Sequence, residues 1–198
     1  MKKILLVGIL TILCVSATFA QVRFGATAGL NVSNIIESGE QAESGDFKAG
    51  LKVGVLADYA ITGNFSVIPE LLFSQRGSKI SEPASMSTTI NYLQLPINAA
   101  YKFDVGYGSK IFIFAGPYLG YAVSGKYKIE SLSVDIPFGS GDEDMKRFDF
   151  GLNGGIGYQY DKIFLKLQYN QGLTGLYNVS HTTSKNQNIA VSAGYFFK

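Results

Sequence analysis

The chain has 198 residues, 17 basic and 15 acidic side chains, one Cys and no Trp, with Gly (23), Phe (14) and Tyr (12) abundant. So even a charge balance gives no reason to expect nucleic acid as a partner, and a lone Cys14 excludes an internal disulfide framework. Gly weakens helices and aromatic residues favour strands, so the composition leans towards all-β.

The chain opens MKKILLVGILTILCVSATFAQ. Lys2 and Lys3 precede an apolar run, Ile4 to Val15, too short for a membrane span of roughly 20 residues. Small residues at Thr18 and Ala20 suit a cleavage site, so residues 1–20 are expected to be a signal peptide and 21–198 the mature domain. An uncleaved anchor is the alternative. A lipoprotein is disfavoured because Leu13 precedes Cys14 where a small residue is wanted. The mature chain would carry 15 basic and 15 acidic residues and no cysteine, which removes thiolate chemistry and cysteine metal sites.

Period-2 alternation then recurs along the chain. Phe24, Ala26, Ala28, Leu30 and Val32 share one face against Gly25, Thr27, Gly29 and Asn31. Leu51, Val53, Val55, Ala57, Tyr59 and Ile61 oppose Lys52, Gly54, Leu56 and Asp58. Phe65, Val67, Pro69, Leu71 and Phe73 oppose Ile68, Glu70, Leu72, Ser74 and Arg76. Leu93, Leu95, Ile97, Ala99, Tyr101 and Phe103 oppose Tyr92, Gln94, Pro96, Asn98 and Lys102. The run KIFIFAGPYLGYAV is apolar on both faces, which leaves its orientation open. Phe148, Phe150, Leu152, Ile156, Tyr158 and Tyr160 oppose Asp149, Asn153 and several glycines. Ile163, Leu165, Leu167 and Tyr169 oppose Phe164, Lys166 and Gln168, and Ile189 to Phe197 alternates again.

These eight strands mostly reach about ten residues, the length a tilted bilayer-spanning strand needs. The connections alternate: 34–46, 77–89, 124–146 and 174–186 are long, while 62–64, 104–110 and 161–162 are shorter. The reading is an all-β, eight-stranded, antiparallel up-and-down transmembrane β-barrel with short periplasmic turns and long extracellular loops. Aromatic residues near the strand ends resemble interfacial girdles. The opposite face is small or polar and carries few charges, as a narrow interior requires. A soluble exported barrel is the alternative. The three-residue loop Thr62-Gly63-Asn64 would pair Ile61 with Phe65, and Asp161-Lys162 would pair Tyr160 with Ile163.

The segments FGATAGLNVSNI, IPELLFSQRG, INYLQLPI, AGPYLGY, FDFGLNGGIGY, LQYNQGLT and SAGYFF resemble, in order, the PorT-like outer-membrane β-barrel family. The resemblance implies a small barrel in the outer membrane of a diderm bacterium and, by analogy of fold, an association with protein secretion. One departure is the last residue: Lys198 follows Phe197, where such barrels commonly end on an aromatic.

The interior face collects seven charges: Lys52, Asp58, Glu70, Arg76, Lys102, Asp149 and Lys166. Charges in a small barrel are costly unless paired, so a structural salt-bridge network plugging the lumen is expected over a polar path for solutes. Glu70 is expected opposite Leu56, within a few residues of Lys52 and Asp58. The single His181 beside Ser180 is not a catalytic pair, because adjacent strand residues point to opposite faces. The acidic run Asp142, Glu143 and Asp144 lacks a calcium-loop pattern and reads as a solvated turn. The stretch GGIGYQY lies inside a strand, so its glycines relieve crowding rather than cradle a phosphate. No enzymatic activity, metal or cofactor is expected. The partners expected are outer-membrane lipid and envelope or secretion proteins met through extracellular loops, with the barrel monomeric. The candidate loop is 124–146, where KYKIESLSVDI could extend a hairpin with an exposed edge. A narrow channel, a small-ligand carrier and a soluble periplasmic barrel are the competing functions.

Pro69 has no N–H for a ladder, and a closed barrel has no edge to hide it on. If 77–89 is a symmetric hairpin tip, Pro69 faces about Ile97, beside Pro96, with Pro117 at the same level. A bulge or gap is expected along that belt.

Overall fold

The computed structural model describes residues 22–38, 46–80, 86–129, 132–139, 145–175 and 183–197. The expected signal peptide, the acidic run Asp142–Asp144, Ser180–His181 and Lys198 lie outside these residues.

Nine strands follow in order: β1 (Val22–Ser38), β2 (Asp46–Ala60), β3 (Phe65–Ile80), β4 (Met86–Gly106), β5 (Ser109–Ile129), β6 (Leu132–Asp135), β7 (Phe148–Tyr160), β8 (Ile163–Gly172) and β9 (Thr183–Phe196). Eight of them form one antiparallel sheet in the order β4-β3-β2-β1-β9-β8-β7-β5, and pairing of β4 with β5 closes it. Closure leaves no sheet edge within the barrel, the condition for putting strands in hydrocarbon. The ninth strand, β6, folds back on the top of β5, pairing Ile129 with Leu132 and Lys126 with Asp135. The hairpin expected within 124–146 is therefore present.

The alternation decides the faces. Leu51, Val53, Val55, Leu71, Leu93, Leu95, Ile97, Ile113, Leu165 and Val191 point outward and are exposed, while Thr27, Asn31, Ser74, Gln94, Asn98, Asn153 and Gln168 are buried inside. The ambiguous fifth run resolves with Ile111, Ile113, Leu119 and Tyr121 outward and Phe112, Phe114 and Tyr118 inward. On β4 the apolar outward run goes from Leu93 to Phe103. At strand rise and barrel tilt this is roughly 25 Å of height, the thickness of an apolar membrane band.

Both inferred tight turns hold. Ile61 N–H donates to Phe65 O at 2.9 Å, and Tyr160 pairs with Ile163. Asp161 takes the left-handed conformation (φ 50°) that the two-residue turn demands, doing without the usual glycine. The third turn uses Tyr107 and Gly108, also at positive φ. Strands extend further than the alternation suggested: β3 runs on to Ile80 and β4 starts at Met86, so the expected 77–89 loop shrinks to 81–85. Polar residues such as Ser78, Thr88 and Thr89 pair there in an extension of the sheet that β2 and β5 also join, which a search for apolar alternation does not detect.

The interior is filled by rings lying over glycines. Phe112 faces Gly157, Phe114 faces Gly155 and Tyr118 faces Gly151 across the β5–β7 ladder. Phe164 faces Gly194 across β8–β9. A Cβ on Gly157 would lie 2.1 Å from the Phe112 ring, and one on Gly194 2.0 Å from the Phe164 ring. These glycines relieve crowding, and the crowding comes from specific aromatic partners. Leu56, Ile68, Phe112, Phe114, Phe164 and Phe196 form the resulting lower apolar cluster.

The proline belt is present as a gap without a bulge. Pairing between β2 and β3 stops at Leu56–Glu70 and resumes at Tyr59–Val67 in unchanged register. Between β3 and β4 it skips from Pro69–Ile97 to Leu72–Gln94. Between β4 and β5 it skips from Pro96–Tyr118 to Ala99–Ala115. Each proline thus loses its pairing with the preceding strand and keeps it with the following one. The carbonyls of Ala57, Glu70 and Ile97 face the three missing donors. Because each proline costs one bond and shifts nothing, the register stays intact.

Substituting Gly157→Val should destabilise the barrel by about 1–3 kcal/mol through overpacking against Phe112. Urea titration of the refolded protein measures this, and a combined Gly157→Val, Phe112→Ala variant should recover part of the loss.

Candidate functional site

Among the described residues the lumen concentrates the polar chemistry, and its side chains sort into three levels. At the turn end, Asp58 is held between two cations. Lys102 Nζ donates to its Oδ1 and Oδ2 at 2.7 and 2.5 Å, and Arg23 Nη2 donates to Oδ2 at 2.5 Å. Arg23 also lies over the Phe196 ring, 4.3 Å from its centroid. β2, β4, β1 and β9 are thereby tied at one level.

At mid-height, Glu70 accepts from Lys166 Nζ at 2.7 and 2.8 Å and from Asn98 Nδ2 at 3.1 Å. Glu70 stands opposite Leu56 in the ladder as expected. Its partner, however, comes from β8, across the lumen, and not from Lys52 or Asp58 on the adjacent strand. Adjacent strands bring backbones together, but the width of an eight-stranded barrel lets inward side chains meet from opposite walls. Lys52 instead donates to Gln168 Oε1 at 2.5 Å. Gln168 in turn donates to Asn153 and Asn170 at 2.9 and 3.0 Å.

At the upper level, Asp149 accepts from Arg76 Nη1 at 3.4 Å, Tyr118 OH at 3.2 Å, Asn186 Nδ2 at 3.1 Å and Thr174 Oγ1 at 3.3 Å. Arg76 Nη2 donates to Gln94 Oε1 at 2.8 Å. Its guanidinium lies 5.1 and 5.7 Å from the Tyr118 and Tyr92 ring centroids. Five strands meet in this cluster.

All seven inward charges read from the sequence are buried, Asp149 completely. Six of them join in carboxylate pairs, and Lys52 joins an amide chain. The pairs also use side chains beyond the seven charges: Asn98, on the face already read as inward, together with Arg23, whose guanidinium also donates to Gln159 Oε1 at 3.3 Å, and Tyr118, Asn186 and Thr174. Arg23 was legible, since it shares parity with Gly25 and Thr27. Tyr118 was not, since its strand was apolar on both faces.

Above these levels an apolar cap closes the mouth. Ile136 and Met145, from the chain between β6 and β7, are buried against Ile35, Ile90, Tyr92 and Ala122. Ile136 N–H donates to Gly125 O at 3.0 Å, and Met145 N–H donates to Pro137 O at 3.1 Å. The loop that carries the acidic run thus turns its methionine inward. Within the lumen, between the lower two charge levels, a cavity of about 10 Å³ remains, lined by Leu56, Glu70, Asn98, Phe112 and Lys166 among others. That is the size of one water molecule. Among the described residues no cluster of His, Cys, Asp and Glu is arranged to hold a metal. Likewise no helix is long and apolar enough to cross a membrane.

Residues 19–178 match the family described as outer membrane protein beta-barrel domain. No curated protein matches. Among solved structures, Neisserial surface protein A is 12% identical, with 88% of this chain and 97% of that chain covered and a TM-score of 0.51. The attachment invasion locus protein Ail of Yersinia pestis is 14% identical, covering 89% and 99%, with a TM-score of 0.46. Outer Membrane Protein W of E. coli is 17% identical, covering 88% and 97%, with a TM-score of 0.42. Identities this low bear on fold alone, and only the first is close enough in shape to add to it.

Removing one partner of the middle pair should cost about 3–5 kcal/mol, because it strands a buried charge. Lys166→Met alone should therefore lower the urea midpoint sharply, and Lys166→Met with Glu70→Leu should restore most of it.

Proposed function

The chain belongs to the outer membrane protein beta-barrel domain family, and on that premise we propose that it is a closed, non-conducting barrel whose work is done by its extracellular end. It is a small integral protein of the outer membrane in a lipid environment. The observation that carries the proposal is the lumen: among the described residues, three levels of ion pairs, aromatic rings seated on glycines and an apolar cap fill it, and the cavity between the lower two levels is water-sized. Here the seven inward charges act as a structural plug.

The extracellular end offers what the lumen does not. β4 and β5 are 21 residues each, roughly 70 Å along the strand, and so rise well beyond the membrane band. β6 pairs with β5 on one side, and Leu132 and Val134 are exposed on it. Such an edge suits strand addition by a partner protein. The resemblance to PorT-like barrels makes a secretion-associated envelope protein a fitting class of partner. The reading does not include an enzyme: all three inward carboxylates are tied up in ion pairs, Asp58 and Glu70 with lysines and Asp149 with Arg76.

In planar bilayers the purified barrel should show no stable open state of porin size, and a sustained conductance would favour the channel reading. Deleting residues 127–143 should leave the barrel in the outer-membrane fraction with heat-modifiable gel mobility. It should abolish recovery of cross-linked envelope partners from whole cells. Partners recovered undiminished from the deletion would end the hairpin assignment.

A further inference from the structure

The outer wall bears a crevice of about 430 Å³ over the first proline break. Phe24, Val55, Leu71, Leu95 and Phe197 wall it, and Ala57 and Pro69 lie in its floor. All of these point away from the lumen, within the apolar band. The crevice exists because two adjacent outward positions are small where their neighbours are Val, Leu and Phe.

That floor is also where the β2–β3 ladder skips Ala57–Pro69. Ile61 and Phe65 form a hydrogen-bonded pair. Hydrogen-bonded pairs alternate along an antiparallel ladder, so Tyr59–Val67 and Ala57–Pro69 stand in the same class. Pro69 has no N–H to give, so the Ala57 carbonyl lacks its ladder donor. In hydrocarbon an unpaired backbone carbonyl is expensive. The crevice therefore combines an apolar trough with one acceptor in need of a donor. Glu70 and Leu56 line both the crevice and the internal cavity, so one strand thickness separates the two. The other two orphaned carbonyls, of Glu70 and Ile97, have a bulky residue on the outward-facing side of the break: Leu71 and Leu95 at one, Ile97 at the other.

We propose that this crevice is a binding site for a single-chain amphiphile whose head carries a hydroxyl donor. The chain lies along Phe24, Val55, Leu71 and Leu95, and the hydroxyl bonds the Ala57 carbonyl. A donor-free ester or a bulk lipid tail would fill the trough without satisfying the carbonyl. The site thus distinguishes monoacylglycerol-like molecules from the lipid that wets the rest of the wall.

The test is native mass spectrometry of the full-length mature barrel released from detergent, with monopalmitoylglycerol and methyl palmitate as competing probes. One monopalmitoylglycerol per barrel should be retained, with a preference over the methyl ester of roughly tenfold, the value of one hydrogen bond in an apolar setting. Ala57→Leu, which fills the trough, should abolish retention. Ala28→Leu, on the same outward face but outside the crevice, should not. Pro69→Ala returns an N–H to the ladder, so it should erase the preference while keeping the trough. Equal binding of the two probes, no adduct at all, or a preference that survives Pro69→Ala would overturn the proposal. The Pro69→Ala arm stands even if Ala57→Leu fails to fold, as read from unboiled gel mobility.

Discussion

A carboxylate enclosed by eight strands must be met by a cation from the barrel's own wall. That constraint organises the interior. Asp58, Glu70 and Asp149 each sit at a different height, and each draws donors from strands that are not its neighbours. Every such pair is a tie across the lumen, so the charges set the barrel's cross-section as well as filling it. Burying ions costs free energy that only good geometry offsets, and here each carboxylate accepts at least three hydrogen bonds.

Aromatic rings occupy the space between these ties, and glycine makes room for them. An eight-stranded barrel is just wide enough for side chains to fill. Where Phe112, Phe114, Tyr118 and Phe164 point inward, the strand opposite carries Gly157, Gly155, Gly151 and Gly194. A side chain on any of these would meet ring atoms well inside contact distance. The polar ties and the ring–glycine pairs share the same strands, so a substitution in one is felt in the other.

Much of this was legible in the sequence. Alternation assigns seven strands to the right face, and turn length sets the β2–β3 and β7–β8 registers. All seven inward charges followed from parity alone. What stayed hidden has physical reasons. The fifth strand is apolar on both faces, so parity had nothing to act on, and Tyr118 went unassigned with it. Partners across a lumen depend on barrel circumference, which no local pattern encodes, so the position of Glu70 opposite Leu56 was legible and its partner Lys166 was not. The polar upper extensions of β3 and β4 carry no apolar signal. The burial of Met145 beside an acidic run depends on how that loop folds back over Tyr92. The prolines went the other way: their level was predicted from a single assumed hairpin, and the ladder breaks in that place.

The pairing of β1 with β9 carries a consequence for how the molecule forms. Those strands join positions such as Gly25 and Phe196, almost the full chain apart, whereas every other neighbouring pair is consecutive along the chain, apart from β5–β7 with β6 between them. Contacts this distant in sequence are entropically the slowest to make. The meander from β2 to β8 can therefore assemble locally while its two outer strands wait with open edges. The Arg23–Phe196 contact joins those two strands, so it forms only when the barrel closes.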